Sequence, residues 1–294
     1  MPSNSLYNKK KHPSDIVLKV LINLAAAVTV IVLVGIIAYI LINGLPHISW
    51  KFLSTAYAQN KPELQGILPM IINTLYVVVI TLVIATPIGI CSAIYLTQYA
   101  KQGRLVRMIR FTTEILSGVP SIIFGLFGYS VFCIMFRLGT SILAGCLTMT
   151  LCILPTIVRT TEESLLAVPP SYKEGAMALG AGKLRVVMGI VLPCAMPGVL
   201  TAVILAMGRL VGESAALLYT VGLSYNMPKA GWDGFVGHAL ESGRTLTLHL
   251  YQTAMQAVTP DALSIAFATA AVLLILVFLL NLLTSVLSKR LKKG

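Results

Sequence analysis

Six stretches of this chain run apolar for close to 20 residues or longer, near 16 to 42, 67 to 96, 118 to 136, 138 to 158, 195 to 219 and 262 to 287. A helix rising about 1.5 Å per residue needs roughly 20 such residues to cross the hydrocarbon core of a bilayer. Lipid offers no hydrogen bonds, so a spanning segment must satisfy its own backbone, and a helix does so. The expected fold is all-α, a polytopic membrane protein with six transmembrane helices. Arg137 and its neighbours alone part the third and fourth stretches. Together these are too long for one span and are read as two helices joined by a hairpin. With 57% hydrophobic and 11% charged residues, length gives no count of soluble domains. The expected organisation is a cytoplasmic tail at 1–15, a first span and external loop at 16–66, a membrane domain at 67–288 and a basic tail at 289–294.

Lysine and arginine set the orientation. Lys9, Lys10, Lys11 and Lys19 at the N-terminus, Lys101, Arg104, Arg107 and Arg110 after the second span, Arg159, Lys173, Lys183 and Arg185 after the fourth, and Lys289, Arg290, Lys292 and Lys293 at the C-terminus stand on one side. Lys51, Lys61, Arg137, Lys229 and Arg244 stand on the other. Cytoplasmic loops carry the basic excess. Both termini and the loop 159–194 are therefore expected in the cytoplasm of a multi-pass cell-membrane protein. The net charge of +12 follows from this bias and from contacts with membrane lipid headgroups; no soluble basic face is left to bind nucleic acid. The lysine-led first apolar run is too long for a signal peptide and has no small-residue cleavage site before Asn43-Gly44, so it reads as a retained span. Cys91, Cys133, Cys146, Cys152 and Cys194 lie in or beside spans and read as reduced packing residues. His238 and His249 lie in the last external loop without the cysteine or acidic partners of a zinc site.

Two segments carry chemistry. In the loop 159–194, Pro169-Pro170 stops any helix entering from upstream. Ser171 and Glu174 form a capping-box pair, and Gly180 with Gly182 suits a left-handed stop. A helix from Tyr172 to Leu179 is predicted, too short to be stable alone in water; it is either a capped connector or an element that docks on a partner. In the fifth span, Gly208-Arg209-Leu210-Val211-Gly212-Glu213-Ser214 puts an arginine well inside the hydrocarbon region, at a cost of at least about 2.5 to 3.5 kcal/mol. Glu213 is four residues on, placed to pair with Arg209 on one helical face. Gly208, Gly212 and Ala216 make a small-residue face for a neighbouring helix. Arg209 then either offers its donor fork to an oxyanion or forms an internal brace with Glu213. Ser117 to Ser121 opens the third span with Pro120 suited to its first turn, either as a simple helix start or as free N–H groups that attract an anion.

Glu174-Gly175-Ala176, Gly180, Ile190 and Leu192-Pro193 have the spacing of the cytoplasmic coupling loop of ABC importer permeases, which the chain resembles; Gly175 stands where that family usually has alanine. Thr86-Pro87-Ile88-Gly89, the run from Leu116-Ser117-Gly118-Val119-Pro120-Ser121 to Phe127-Gly128, Leu154-Pro155 to Glu162-Glu163, and Gly208-Arg209 with Gly212-Glu213 are similar to the PstA-type permeases of phosphate-specific importers. Ser214 replaces a usual threonine. PstC-type permeases are the nearest competitor, and sulfate or molybdate permeases would share the coupling loop. The resemblance implies a MetI-like type I importer permease that is not itself an enzyme. It implies a PstC-type permease partner, two PstB-type ATPase subunits and an extracytoplasmic phosphate-binding protein. It also implies substrate-pathway residues Arg209, Glu213, Ser214, Ser117 and Ser121, and ATPase-coupling residues Ser171, Glu174, Gly175, Ala176, Gly180, Ile190, Leu192 and Pro193. No cofactor is expected on this chain: Ala181-Gly182-Lys183-Leu184 lacks the Ser or Thr of a P-loop, so ATP and Mg belong to the partner ATPases. An intramembrane hydrolase using Ser214 would need a buried histidine base, and neither His238 nor His249 falls in a predicted span.

The charge bias predicts that single cysteines placed near Lys183 and Lys292 react with a membrane-impermeant thiol reagent only from the cytoplasmic side, and one near Trp232 only from outside. External labelling near Lys183 would overturn the topology.

Overall fold

In a computed structural model of the protein, residues 13–57, 66–228, 231–255 and 260–291 are described, and all regular elements among them are helices. Lys9, Lys10, Lys11, Lys61, Lys229, Lys292 and Lys293 lie outside the described residues. The order is α1 (Pro13–Gly44), α2 (Trp50–Ser54), α3 (Leu68–Tyr99), α4 (Arg104–Gly118), α5 (Ser121–Met135), α6 (Ile142–Leu166), α7 (Pro170–Ala178), α8 (Lys183–Gly212), α9 (Ala215–Thr220), α10 (Trp232–Ala239), α11 (Leu246–Met255) and α12 (Pro260–Leu291). α1, α3, α6, α8 and α12 are each long and apolar enough to cross a membrane, and α4 with α5 forms a sixth candidate bent by 102°.

The bend has a local cause. The residue before a proline is pushed out of the helical region, and Val119 (ψ 131°) and Pro120 (ψ 137°) are both extended. Pro120 therefore lies just outside α5 rather than in its first turn as expected. The basic segment read as a loop is the helix α4. It buries Val106 against Leu96 and Val158 while Arg104 and Arg107 stay exposed, an amphipathic arrangement suited to an interface. The hairpin at Arg137 turns through two left-handed residues, Arg137 (φ 56°) and Gly139 (φ 61°). Ser141 then starts α6 as its cap, accepting from the N–H of Ala144 at 3.2 Å.

Two further boundaries differ from the expected ones. α6 continues two turns past residue 158, where it buries Thr161, Glu162 and Leu165 and Arg159 pairs with Glu163 one turn later at 3.3 Å. α8 starts at Lys183, so Ile190, Leu192 and Pro193 lie inside a helix instead of before one. Pro193 has no N–H to give and the helix widens to a π turn over Val187–Val191 just upstream, the local rearrangement that lets a helix pass a proline.

α6 sits at the centre, its Met149, Ile153 and Ile157 buried against Val77 of α3, Leu210 of α8 and Leu217 of α9. Three of the buried hydroxyls are satisfied within their own helices: Thr74, Thr148 and Thr150 each donate to the carbonyl four residues back, a pattern open to polar side chains in an apolar layer. α1 is the exception, with none of its apolar window buried within this chain. It touches the rest at its far end, where Tyr39 meets the ring of Phe267 edge-on at 5.6 Å. α5 approaches its neighbours through glycines. A Cβ at Gly125 would sit 2.9 Å from the Ala216 backbone, and one at Gly128 would collide with the Thr148 side chain.

Gly128→Leu is accordingly expected to prise α5 from α6 at a cost of about 1–3 kcal/mol, lowering the melting temperature of the detergent-solubilised protein. Gly208→Ala, where nothing lies within 4 Å of a new Cβ, should leave it unchanged. Equal melting of both variants would contradict the α5–α6 contact.

Candidate functional site

The span carrying Arg209 does not run through. α8 ends at Gly212, Glu213 is extended (φ −80°, ψ 125°), and a new short helix, α9, begins at Ala215. Gly208 and Gly212 weaken the helix there, and the groups it frees are met by side chains. Thr247 donates its hydroxyl to the Val211 carbonyl at 3.3 Å, and the Glu213 carboxylate accepts from the Ala216 N–H at 3.2 Å. Glu213 thus caps α9 and is not among the ion-paired carboxylates of the described residues. The expected Arg209–Glu213 pair on one helical face is corrected by this break: the chain leaves the helix between them.

Arg209 is half-buried near Cys152, whose thiol feels the charges of both Arg209 and Glu213. Cys152 lies about 15 Å from the start of α6 and about 21 Å from its end, which puts the guanidinium near the middle of the membrane domain. The small-residue face is corrected in part. Ala216 does take the close approach, against Gly125, but a Cβ added at Gly208 or Gly212 would meet nothing within 4 Å. The stripe beside Arg209 is open on this chain.

The serines divide. Ser214 is the half-buried residue at the break, its carbonyl accepting from the N–H of Leu218 at 2.9 Å. Ser121 opens α5 one turn before the Gly125–Ala216 contact. Ser117 is in the last turn of α4, beyond the bend, and donates to the Glu114 carbonyl at 2.7 Å. No hydrogen bond among the described residues joins a histidine to Ser214. His238, fully buried, faces Asn73 Oδ1 at 2.8 Å and Glu241 Oε2 at 3.2 Å, while His249 is buried with both ring nitrogens unpartnered. Both histidines were expected in an open loop; α10 and α11 fold that loop back onto α3, where Leu246 N–H donates to the Thr74 hydroxyl at 2.9 Å.

The helix α7, in the loop 159–194, begins at Pro170, two positions earlier than a capping box at Ser171 allows. Proline is pre-set for the first helical turn, so Ser171 is helical and its side chain does not cap. The capping-box reading is corrected. The stop is the Schellman arrangement: Gly180 is left-handed (φ 84°), its N–H donates to Met177 at 2.9 Å, and the Ala181 N–H donates to Ala176 at 3.1 Å. Ala176 and Ala181 both pack on the cluster of Leu165 and Val186. Gly182, read as part of the stop, is instead the extended residue preceding α8. Glu174 and Gly175 are exposed, with open space where a Gly175 Cβ would go, and Tyr172, Met177 and Leu179 project as an apolar edge, Leu179 at 91% exposure. Ile190 is half-buried and Pro193 exposed in the first part of α8.

Residues 85–293 match the family described as "Binding-protein-dependent transport system inner membrane component". The chain is 35% identical over 264 residues to a probable ABC transporter permease protein, YqgI, of Bacillus subtilis, covering 88% of this chain and 90% of that one. It is also 35% identical over 247 residues to the phosphate transport system permease protein PstA of Haemophilus influenzae, covering 82% of each. Among solved structures it is similar to a chain of a bacterial alginate ABC transporter in complex with its alginate-bound periplasmic protein, with a TM-score of 0.67 at 13% identity over 96% of both chains. A chain of the MetNI methionine ABC transporter in an inward-facing conformation gives 0.58 at 21% identity, over 77% of this chain and 94% of that one.

The left-handed turn gives a test of the α7 geometry. A leucine at Gly180 would be strained by about 1–2 kcal/mol, so Gly180→Leu is expected to raise the rate of limited proteolysis within residues 170–182 by roughly fivefold to thirtyfold. Gly175→Ala should slow it. An unchanged rate for Gly180→Leu would contradict the Schellman stop.

Proposed function

Because the chain belongs to the family of binding-protein-dependent transport inner-membrane components, we propose that it is the PstA-type permease of an inorganic phosphate importer. Permease function in an ATP-driven, binding-protein-dependent importer follows from the family, which has no ATPase domain of its own. The finer reading rests on one observation: Arg209, at mid-membrane beside an unwound turn, is not neutralised by a carboxylate pair among the described residues. An unpaired arginine in low dielectric is stabilised by any anion that reaches it. Its planar fork suits the oxygens of a tetrahedral oxyanion. The similarity to PstA of Haemophilus influenzae supports phosphate as that oxyanion.

On this reading the open stripe at Gly208 and Gly212 faces a PstC-type permease, and the pathway runs between the two chains. Glu213 holds the break in shape by capping α9, and Ser214 and Ser121 line the approach. Ser117 stands apart from these two, in the last turn of α4 beyond the bend. The apolar edge of α7 docks on one of two PstB-type ATPases, with Glu174, Gly175 and Ala176 forming the docked helix, Gly180 its stop, and Ile190, Leu192 and Pro193 the lever into α8. An extracytoplasmic binding protein delivers phosphate, both termini are cytoplasmic, and ATP and Mg act in the ATPases.

The test is uptake of labelled phosphate by cells carrying the whole complex, with sulfate and molybdate as competitors. Arg209→Gln is expected to cut uptake at least tenfold with assembly intact. Glu213→Gln, whose amide oxygen still accepts from Ala216 N–H, should keep a substantial part. Near-wild-type uptake by assembled Arg209→Gln complexes would remove Arg209 from the pathway, and competition by sulfate or molybdate as strong as by phosphate would reassign the substrate.

A further inference from the structure

We propose that the extracytoplasmic lobe of this chain carries a second oxyanion site, built on Arg244, at which phosphate pauses before it reaches Arg209. The proposal rests on the reading of Arg209 as a pathway residue, and the two are tested separately below.

Arg244 is at the opposite end of the molecule from α7. Its carbonyl accepts from Asn73 Nδ2 at 3.3 Å near the start of α3, whereas Lys173 Nζ meets Gln98 Oε1 at 3.1 Å and Lys183 lies over the Tyr99 ring at 4.9 Å near its end. Along a helix those two ends of α3 are about 38 Å apart, enough to place them at opposite faces of a bilayer. The loop is also joined to the break at Arg209. Thr245 and Thr247 share a hydroxyl contact at 3.3 Å, and Thr247 is the donor to Val211.

The guanidinium is held but not neutralised. Arg244 is 9% exposed, its carbon lies 4.3 Å over the centre of the Tyr225 ring, and Tyr57 stacks on Tyr225 at 4.4 Å. Stacking on an aromatic face steadies a cation without removing its charge. Nε of Arg244 has no hydrogen-bond partner and Arg244 takes part in no ion pair among the described residues. It borders a cavity of about 320 Å³ lined also by Tyr57, Leu223, Tyr225, Gln252 and Thr253. Those side chains offer hydroxyl and amide donors, and no carboxylate is among the described residues that line the cavity. At roughly 30 Å³ per water, the space admits a hydrated tetrahedral oxyanion.

The neighbouring titratable groups favour an anion as well. Burial pushes the Tyr225 hydroxyl up to about 12, against the pull of Arg244, so it remains an O–H donor at neutral pH. Burial, helped by the Arg244 charge, pushes His249 down to about 3, so this ring is neutral and does not compete for the anion. The described lining of the cavity therefore presents one fixed positive charge and a set of neutral donors. A single fork with neutral helpers suits a site that must also release its ligand.

The experiment uses the complete importer in nanodiscs without nucleotide, with inorganic phosphate as the probe and sulfate as the control, read by equilibrium binding of labelled phosphate. In complexes carrying Arg209→Gln, phosphate binding at the outer site is expected to persist; adding Arg244→Gln should weaken it at least tenfold, and Arg244→Lys should restore part. In uptake, Arg244→Gln alone is expected to raise the half-saturating phosphate concentration about tenfold with the maximal rate within twofold, unlike Arg209→Gln, which lowers the maximal rate. If Arg244→Gln fails to assemble, Gln252→Leu with Thr253→Val, which leaves the cation in place, should weaken binding severalfold. Phosphate binding unaltered by these variants would overturn the site. So would unaltered phosphate binding with weakened capture of the binding protein, which would make Arg244 a dock for an acidic side chain instead.

Discussion

A backbone that leaves the helix halfway across a membrane must find its hydrogen bonds inside the protein, because lipid supplies none. The interruption between Gly212 and Ala215 meets that demand with two side chains: Thr247 of α11 on the Val211 carbonyl and Glu213 on the Ala216 N–H. The rest of the site follows from those two bonds. They free Arg209 from Glu213, they tie the lobe of α10 and α11 to the span below it, and they let α9 turn towards α5, where Gly125 admits Ala216. Removing either bond leaves a polar group unsatisfied in low dielectric, which costs about 1–3 kcal/mol.

Around that interruption the fold is built to be rigid in some places and open in others. α6 is packed on several sides, with glycines on α3 and α5 meeting its Ile157 and Thr148. α1 and the stripe at Gly208 and Gly212 are bare within this chain. A single subunit of an assembly is expected to look like this, since apolar helices without neighbours of their own find them in lipid or in partner chains.

At the end of the molecule that bears α7, charge does what apolar packing does in the middle. Arg110 pairs with Glu162 at 3.3 Å, and Arg159 reaches both Glu163 at 3.3 Å and Glu114 at 3.9 Å. The Arg110–Glu162 and Arg159–Glu114 pairs join α4 to α6 close to the loop bearing α7. These side chains are mostly exposed, so each pair is worth little alone, but together they fix the register of two helices that share few buried contacts. Movement of α7 would reach α8 directly, because only the turn from Leu179 to Gly182 separates the two helices.

Sequence by itself determined the class of the fold and most of its spans, because an apolar run long enough to cross a bilayer has one stable backbone solution and needs no partner to choose it. The Gly180 stop was legible for the same reason: a left-handed residue is a local demand that glycine meets. The capping box failed at Ser171 because Pro170 competed for the first turn, a contest between two local signals that composition does not rank. What only the tertiary structure decided is everything that depends on satisfaction at a distance. An i,i+4 spacing predicts a pair only if the helix continues, and whether α8 continues past Gly212 depends on a threonine far along the chain that is there to receive its carbonyl. Arg244 and His249, placed by sequence in an open external loop, are buried because that loop folds back onto α3, and a hydrogen bond from Asn73 to a carbonyl 171 residues away leaves no trace in any local pattern.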